Sequence, residues 1–134
     1  YLLAIPLPFQ RAMMTGIERR ALRAMPEQVD IYRGLQAHDK ESAGDRSMQG
    51  YSWTLSPRVA RFFAERHLQA DDTPWVAKTT VKKSEIVAFL TRRNEEEVLI
   101  NSDALDPDAI EIEGYPDIVR PEPDYVALGA FFSE

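Results

Sequence analysis

The run Asn94-Glu95-Glu96-Glu97-Val98-Leu99-Ile100 sets three carboxylates directly against an apolar segment. Val98-Leu99-Ile100 reads as a short buried strand. Continued backwards at strand spacing, Glu95 and Glu97 point to one face and Glu96 to the other. Carboxylates at the lip of a core strand are held by the packing behind them, as general-base and cation-stabilising work requires. A solvated acidic turn feeding a strand is the plainer reading of the same residues. The rest of the chain decides between the two.

At 134 residues the chain is expected to be a single domain, 1–134, with a core of its own. It opens on Tyr1 rather than Met, which leaves a longer parent chain open. With no cysteine, disulfides, thiolate nucleophiles and thiolate-bound metals are excluded. His38 and His67 fall in no zinc spacing, so no metal site is expected. No apolar run approaches the ~18 residues of a membrane span. The opening Tyr1-Leu2-Leu3-Ala4-Ile5 is too short for a signal core and lacks a basic flank. The expected location is the cytoplasm, or a target cell's cytosol after delivery. A net charge of −6 speaks against nucleic acid as a partner. Acidic residues crowd 101–124, where Arg120 is the lone cation, a solvated rim or a face for a basic protein.

Residues 1–10, with Pro6 and Pro8, read as an extended lead-in. Thr15 and Glu18 have capping-box spacing, so a helix is expected over 16–25 with Ile17, Ala21 and Met25 as its buried stripe. A first strand, Val29-Asp30-Ile31-Tyr32-Arg33-Gly34, follows Pro26. Residues 36–49 show no hydrophobic period and read as a polar loop, a candidate flap. The segment 50–55 alternates, with Tyr51, Trp53 and Leu55 on one face and Ser52 and Thr54 on the other. Ser56-Pro57 starts a helix expected over 57–68, whose Phe62 and Phe63 read as core, with stacking on a ligand as the alternative. Strands are then expected over 75–81, 85–90, 98–100, 110–112 and 125–132. This order implies an α+β domain with two small sheets.

Three polar features stand on these strands in order: Tyr32-Arg33-Gly34, Ser52-Trp53-Thr54 and Glu95-Glu96-Glu97. Together they resemble the arginine, Ser-x-Ser/Thr and Glu-x-Glu signature of the ADP-ribosyltransferase superfamily, arginine-serine-glutamate class. Thr15-Gly16 with Leu22-Arg23 is similar to the Thr-Gly…Leu-Arg helix that precedes the arginine strand in many members. Ser52-Trp53-Thr54-Leu55 running into a helix with Ala60, Phe63 and Ala64 is similar to the family's serine strand and following helix. The resemblance covers residues 15–100. It implies an ADP-ribosyltransferase-like fold, two small packed β-sheets with flanking short helices. It also implies a mono-ADP-ribosyltransferase that moves ADP-ribose from NAD, its co-substrate, to a protein side chain, arginine being the usual acceptor of Glu-x-Glu members.

By the same resemblance Glu97 stabilises the oxocarbenium-like cation and Glu95 orients or deprotonates the acceptor. Arg33 grips an NAD phosphate, and Gly34 offers backbone to the nicotinamide amide. Ser52 bonds within the NAD pocket and helps hold Glu97, and Thr54, of the same cofactor-binding set, supports the strand and pocket wall. Arg92, Arg93 and Asn94 occupy the place of the family's substrate-recognition loop, with bare turn residues as the equal alternative. Taken singly, Arg33 also reads as a strand-end ion pair, and Ser52 and Thr54 as the outer face of a strand. Trp53 departs from the small residue common in the serine motif, and the acidic charge weighs against a toxin. An NAD glycohydrolase, or an interaction domain that keeps the fold without catalysis, remains the alternative.

Overall fold

The computed structural model describes residues 14–66, 68 and 71–114. The lead-in 1–10, the strand expected over 125–132 and His67 lie outside the described residues. The elements are helices α1 (Gly16–Ala24), α2 (Lys40–Ser47) and α3 (Pro57–Glu65), and strands β1 (Gln28–Ala37), β2 (Ser52–Thr54), β3 (Thr73–Lys82), β4 (Ile86–Leu90), β5 (Glu97–Ile100) and β6 (Glu111–Gly114). The class is α+β, as the sequence implies.

The expected two sheets are one. The strands form a single open antiparallel sheet in the order β4-β5-β2-β1-β3-β6. The join between its halves is narrow. β1 pairs with β3 along its whole length, from Gln28 opposite Lys82 to Ala37 opposite Thr73. Against β2 it makes one pair, Tyr32 with Thr54. β2 pairs with β5 along all three of its residues but with β1 only at Thr54, so β1 and β2 part beyond that point.

Three elements differ from the sequence reading in instructive ways. The expected flap over 36–49 is the end of β1 followed by α2. Its caps form that helix: Asp39 accepts a hydrogen bond from Ser42 N at 2.8 Å, and only Ala43 and Ser47 are buried. An apolar period was never going to reveal it. In α1 the capping box is present, with Thr15 Oγ1 accepting from Glu18 N at 3.1 Å and Glu18 Oε1 from Thr15 N at 2.9 Å. Its inward face, however, is Glu18, Ala21, Leu22 and Met25, and Ile17 is 71% exposed. α3 starts at Ser56 as expected, its hydroxyl accepting from Val59 N at 3.2 Å, and ends at Glu65.

The main core lies on one face of the sheet, where Val29, Ile31, Trp53, Ala77, Phe89, Val98 and Ile100 meet. α3 covers the other face of β1 and β3, with Ala60 and Ala64 against Val76 and Tyr32. Small residues let this helix come close. A Cβ on Gly34 would collide with Ala60 O and stand 2.6 Å from Ala64 N. The obstacle is helix backbone, which cannot swing aside as a flexible side chain can. Gly34→Ala should therefore lower the free energy of unfolding by about 3 kcal/mol, the upper end for overpacking. Urea unfolding of parent and variant reads this directly, and an unchanged midpoint would refute the close approach.

Candidate active site

The divergence of β1 and β2 opens a cleft of about 480 Å³. Its walls include Arg33, Gly34 and Gln36 from β1, Ser52, Trp53 and Thr54 from β2, Phe63 and Arg66 from α3 and its end, and Glu95 and Glu97. Six residues singled out from the sequence (Arg33, Gly34, Ser52, Thr54, Glu95 and Glu97) therefore meet in one place. Arg92, Arg93 and Asn94 do not line it; they form the exposed turn that leads into it.

Strand register fixes the carboxylate end of the cleft. Glu97 stands opposite Thr54 across β5 and β2, and Ser52 opposite Leu99. Ser52 is thus the diagonal neighbour of Glu97 on the same face, close enough for a side-chain contact. Its hydroxyl donates to Glu97 Oε2 at 2.5 Å. Behind them Val98, Leu99 and Ile100 are all buried, so Glu97 rises from a fixed base.

Glu95 reaches the cleft by another route than strand alternation. β5 begins only at Glu97, and Arg93, Asn94 and Glu96 have left-handed backbone, with φ of 59°, 56° and 48°. None of these is glycine; asparagine tolerates this region, but at Arg93 and Glu96 the conformation is costly and must be imposed by neighbours. The neighbours are visible. Thr54 Oγ1 donates to Glu95 O at 2.7 Å, and Leu55 N donates to Glu96 O at 3.1 Å. Asn94 N donates to Thr91 O at 3.0 Å. Thr54 Oγ1 also accepts from Ser56 N at 3.1 Å, so its hydroxyl is committed to the turn and to the start of α3. That gives Thr54 a positioning part, in line with the supporting role in strand and pocket wall that the resemblance implies.

The electrostatics of the two carboxylates differ. Burial pushes the Glu95 carboxyl above its ordinary value, with Arg93 opposing, Glu97 adding to the rise, and Arg66 and Arg92 opposing again. A carboxyl poised in this way in a cleft is a candidate for proton transfer. At the other end Arg33 is held by carbonyls, its Nη1 donating to Ser47 O at 3.3 Å and Gly50 O at 3.5 Å. Its guanidinium lies 5.9 Å from the centre of the Trp53 ring, within cation–π range. Burial lowers its pKa, yet a guanidinium stays charged throughout the working pH range. Among the described residues no carboxylate pairs with it, so the strand-end ion pair is not what holds Arg33.

Gly34 is at the cleft for a reason other than the expected one. The space its side chain would need belongs to α3, so helix packing demands the glycine. Phe63 was read as core, but it is half-buried and forms cleft wall, with the Arg66 guanidinium 5.9 Å from its ring centre. Gln36 was not singled out at all. Its amide donates to the carbonyls of Phe63 at 3.2 Å and Ala64 at 3.3 Å, tying the end of α3 to β1. The spacing of Phe63 and Arg66, one helical turn apart, was the available signal for that wall.

Among the described residues no cluster of His, Cys, Asp and Glu is suited to a metal. Among them also, no helix is long and apolar enough to cross a membrane.

The raised pKa of Glu95 has a consequence for stability. The folded protein binds that proton more tightly than the unfolded chain, so the charged carboxylate costs stability once pH exceeds the ordinary carboxylate value. Glu95→Gln should therefore raise the melting temperature at neutral pH, and the gain should shrink to nothing as pH falls through the Glu95 titration. Melting curves of parent and variant between pH 4 and 8 test this (a range around the ordinary value of about 4.3); an equal or lower melting temperature for the variant at neutral pH would contradict it.

No protein-family model matches the sequence, no curated protein matches it, and no solved structure matches the fold.

Proposed function

We propose that the chain is a mono-ADP-ribosyltransferase that moves ADP-ribose from NAD to a protein arginine, and that its α+β architecture is ADP-ribosyltransferase-like. The observation that carries this reading is the meeting of Arg33, Ser52, Glu95 and Glu97 in one cleft, with the Ser52 hydroxyl seated on Glu97. The resemblance to the arginine-serine-glutamate class names those residues in that order.

The chemistry suits them. NAD carries two phosphates, and Arg33, a half-buried cation held by two carbonyls and the Trp53 ring, supplies a planar donor for one of them. Phe63 offers an apolar face for a ring of the dinucleotide. The bond from ribose C1′ to the nicotinamide nitrogen breaks, and its electron pair leaves with neutral nicotinamide. Positive charge then spreads over C1′ and the ring oxygen. Glu97, fixed by β5 and Ser52, faces that charge and lowers the barrier. The acceptor nitrogen forms the new bond to C1′ and becomes acidic as it does so. Glu95 accepts its proton, and the raised basicity of this carboxyl favours the step.

Incubation with labelled NAD and a cell lysate tests the proposal. The parent should transfer label to protein. Glu97→Gln keeps size and deletes charge, and should reduce transfer by on the order of 10²–10³, the range for loss of one preorganised stabilising group. Ser52→Ala should cost about tenfold, equivalent to one hydrogen bond to a charged group. Free nicotinamide with no labelled protein would replace the transferase by a glycohydrolase. Neither product, with no NAD binding by calorimetry, would reject both.

A further inference from the structure

Glu18 is the one carboxylate buried among the described residues, at 5% exposure, and its place in α1 is remote in sequence from the cleft. Its two oxygens have separate tasks. Oε1 accepts from Thr15 N at 2.9 Å and closes the helix cap. Oε2 accepts from Thr91 N at 2.7 Å and from Thr91 Oγ1 at 2.8 Å. A capping glutamate ordinarily points to solvent beyond its own helix. Here the helix is rolled so that Ile17 faces water and this carboxylate faces inward, an arrangement that apolar burial alone would reverse.

Thr91 is the residue from which the left-handed turn departs. The turn is thus suspended from two supports: Glu18 at its start, and Thr54 with Leu55 at Glu95 and Glu96. Between them lie two of the three non-glycine residues with positive φ, Arg93 and Asn94. Removing either support frees a strained turn to relax. Glu97 has supports of its own beyond the turn: β5 pairs it with Leu90 on one side and Thr54 on the other, and Ser52 bonds its carboxylate.

We propose that Glu18 is a positioning residue: by clamping Thr91 it aims Glu95 into the cleft, while Glu97 is held mainly by its strand pairing and by Ser52. The inference rests on the transferase reading for its catalytic consequence, but the clamp itself has a readout that needs no activity. Burial raises the Glu18 carboxyl and the hydrogen bonds from Thr15 and Thr91 lower it further, leaving it below its ordinary value and charged at neutral pH. Its charge strengthens both hydrogen bonds from Thr91.

Glu18→Gln is the informative variant. The amide turned either way presents its N–H₂ to a donor, at Thr91 or at Thr15, and loses charge in both cases. Transfer to the acceptor should fall by on the order of tenfold to a hundredfold, the effect of a displacement near 1 Å. Nicotinamide release to water, which depends on Glu97 and Ser52, should change by less than about threefold, within the variation expected of a distant, uncoupled site. Thr91→Val should lose part of the transfer rate, and Thr91→Ser should restore it. Circular dichroism at the assay temperature confirms that each variant is folded. In parallel, carbon-13 NMR titration of Glu95, which Arg93, Glu97, Arg66 and Arg92 also face, should show its pKa moved in Glu18→Gln. Equal loss of transfer and nicotinamide release would make Glu18 merely structural and overturn the proposal. So would a Glu95 titration that matches the parent. If the parent itself turns over no NAD, the transferase reading fails, and the Glu95 titration alone decides whether the clamp aims the turn.

Discussion

The sheet is joined across its middle by one residue pair, Tyr32 with Thr54, and the rest of the molecule depends on that constraint. With more pairing β1 and β2 would lie side by side and leave no gap; with none the halves would have no common frame. One pair allows both a continuous sheet and a cleft where its strands diverge. Thr54 is therefore placed to serve both sides. Its backbone makes the join, and its hydroxyl bonds Glu95 O and Ser56 N, linking the carboxylate turn to the start of α3.

Around that join, rigidity and strain are distributed unevenly. Arg33, Ser52 and Glu97 stand on strands backed by the main core. Glu95 stands on a turn of left-handed residues that the backbone would not choose unaided. The two carboxylates thus share a cleft with different mechanical supports and different electrostatic surroundings. Such a division suits a reaction with two demands. One group must meet a cation at a fixed point, and the other must accept a proton from an incoming partner. The acidic balance of the chain as a whole is no obstacle, because Arg33, Arg66, Arg92 and Arg93 are placed in or around the cleft.

Much of this was legible in the sequence, and the remainder was hidden for physical reasons. Val98-Leu99-Ile100 and the proline-led start of α3 each carry a local signal, and the structure has them where they were expected; around Trp53 the strand is present, but Tyr51 is exposed and Thr54 buried, against the expected alternation. α2 carries no apolar stripe, contains Gly44, and is defined by its cap at Asp39, so periodicity gave no sign of it. The number of sheets turned on a single inter-strand pair, which no local pattern encodes. Glu18 was readable as a capping residue, but its second task depends on Thr91, 73 positions away. Gly34 lines the cleft, and the need for glycine there comes from the backbone of Ala60 and Ala64, which local sequence does not reveal. The shared orientation of Glu95 and Glu97 was expected from strand spacing and arises instead from the reversal at Glu96.

The central claim is that this one cleft is an NAD site, and chemical-shift mapping tests it most directly. NAD would be titrated into isotope-labelled Glu97→Gln protein, in which the bound dinucleotide persists because cleavage is slowed. The account predicts saturable shifts concentrated at Arg33, Gly34, Ser52 and Phe63, with β6 unaffected. No saturable shifts, or shifts centred on residues outside the cleft, would contradict it.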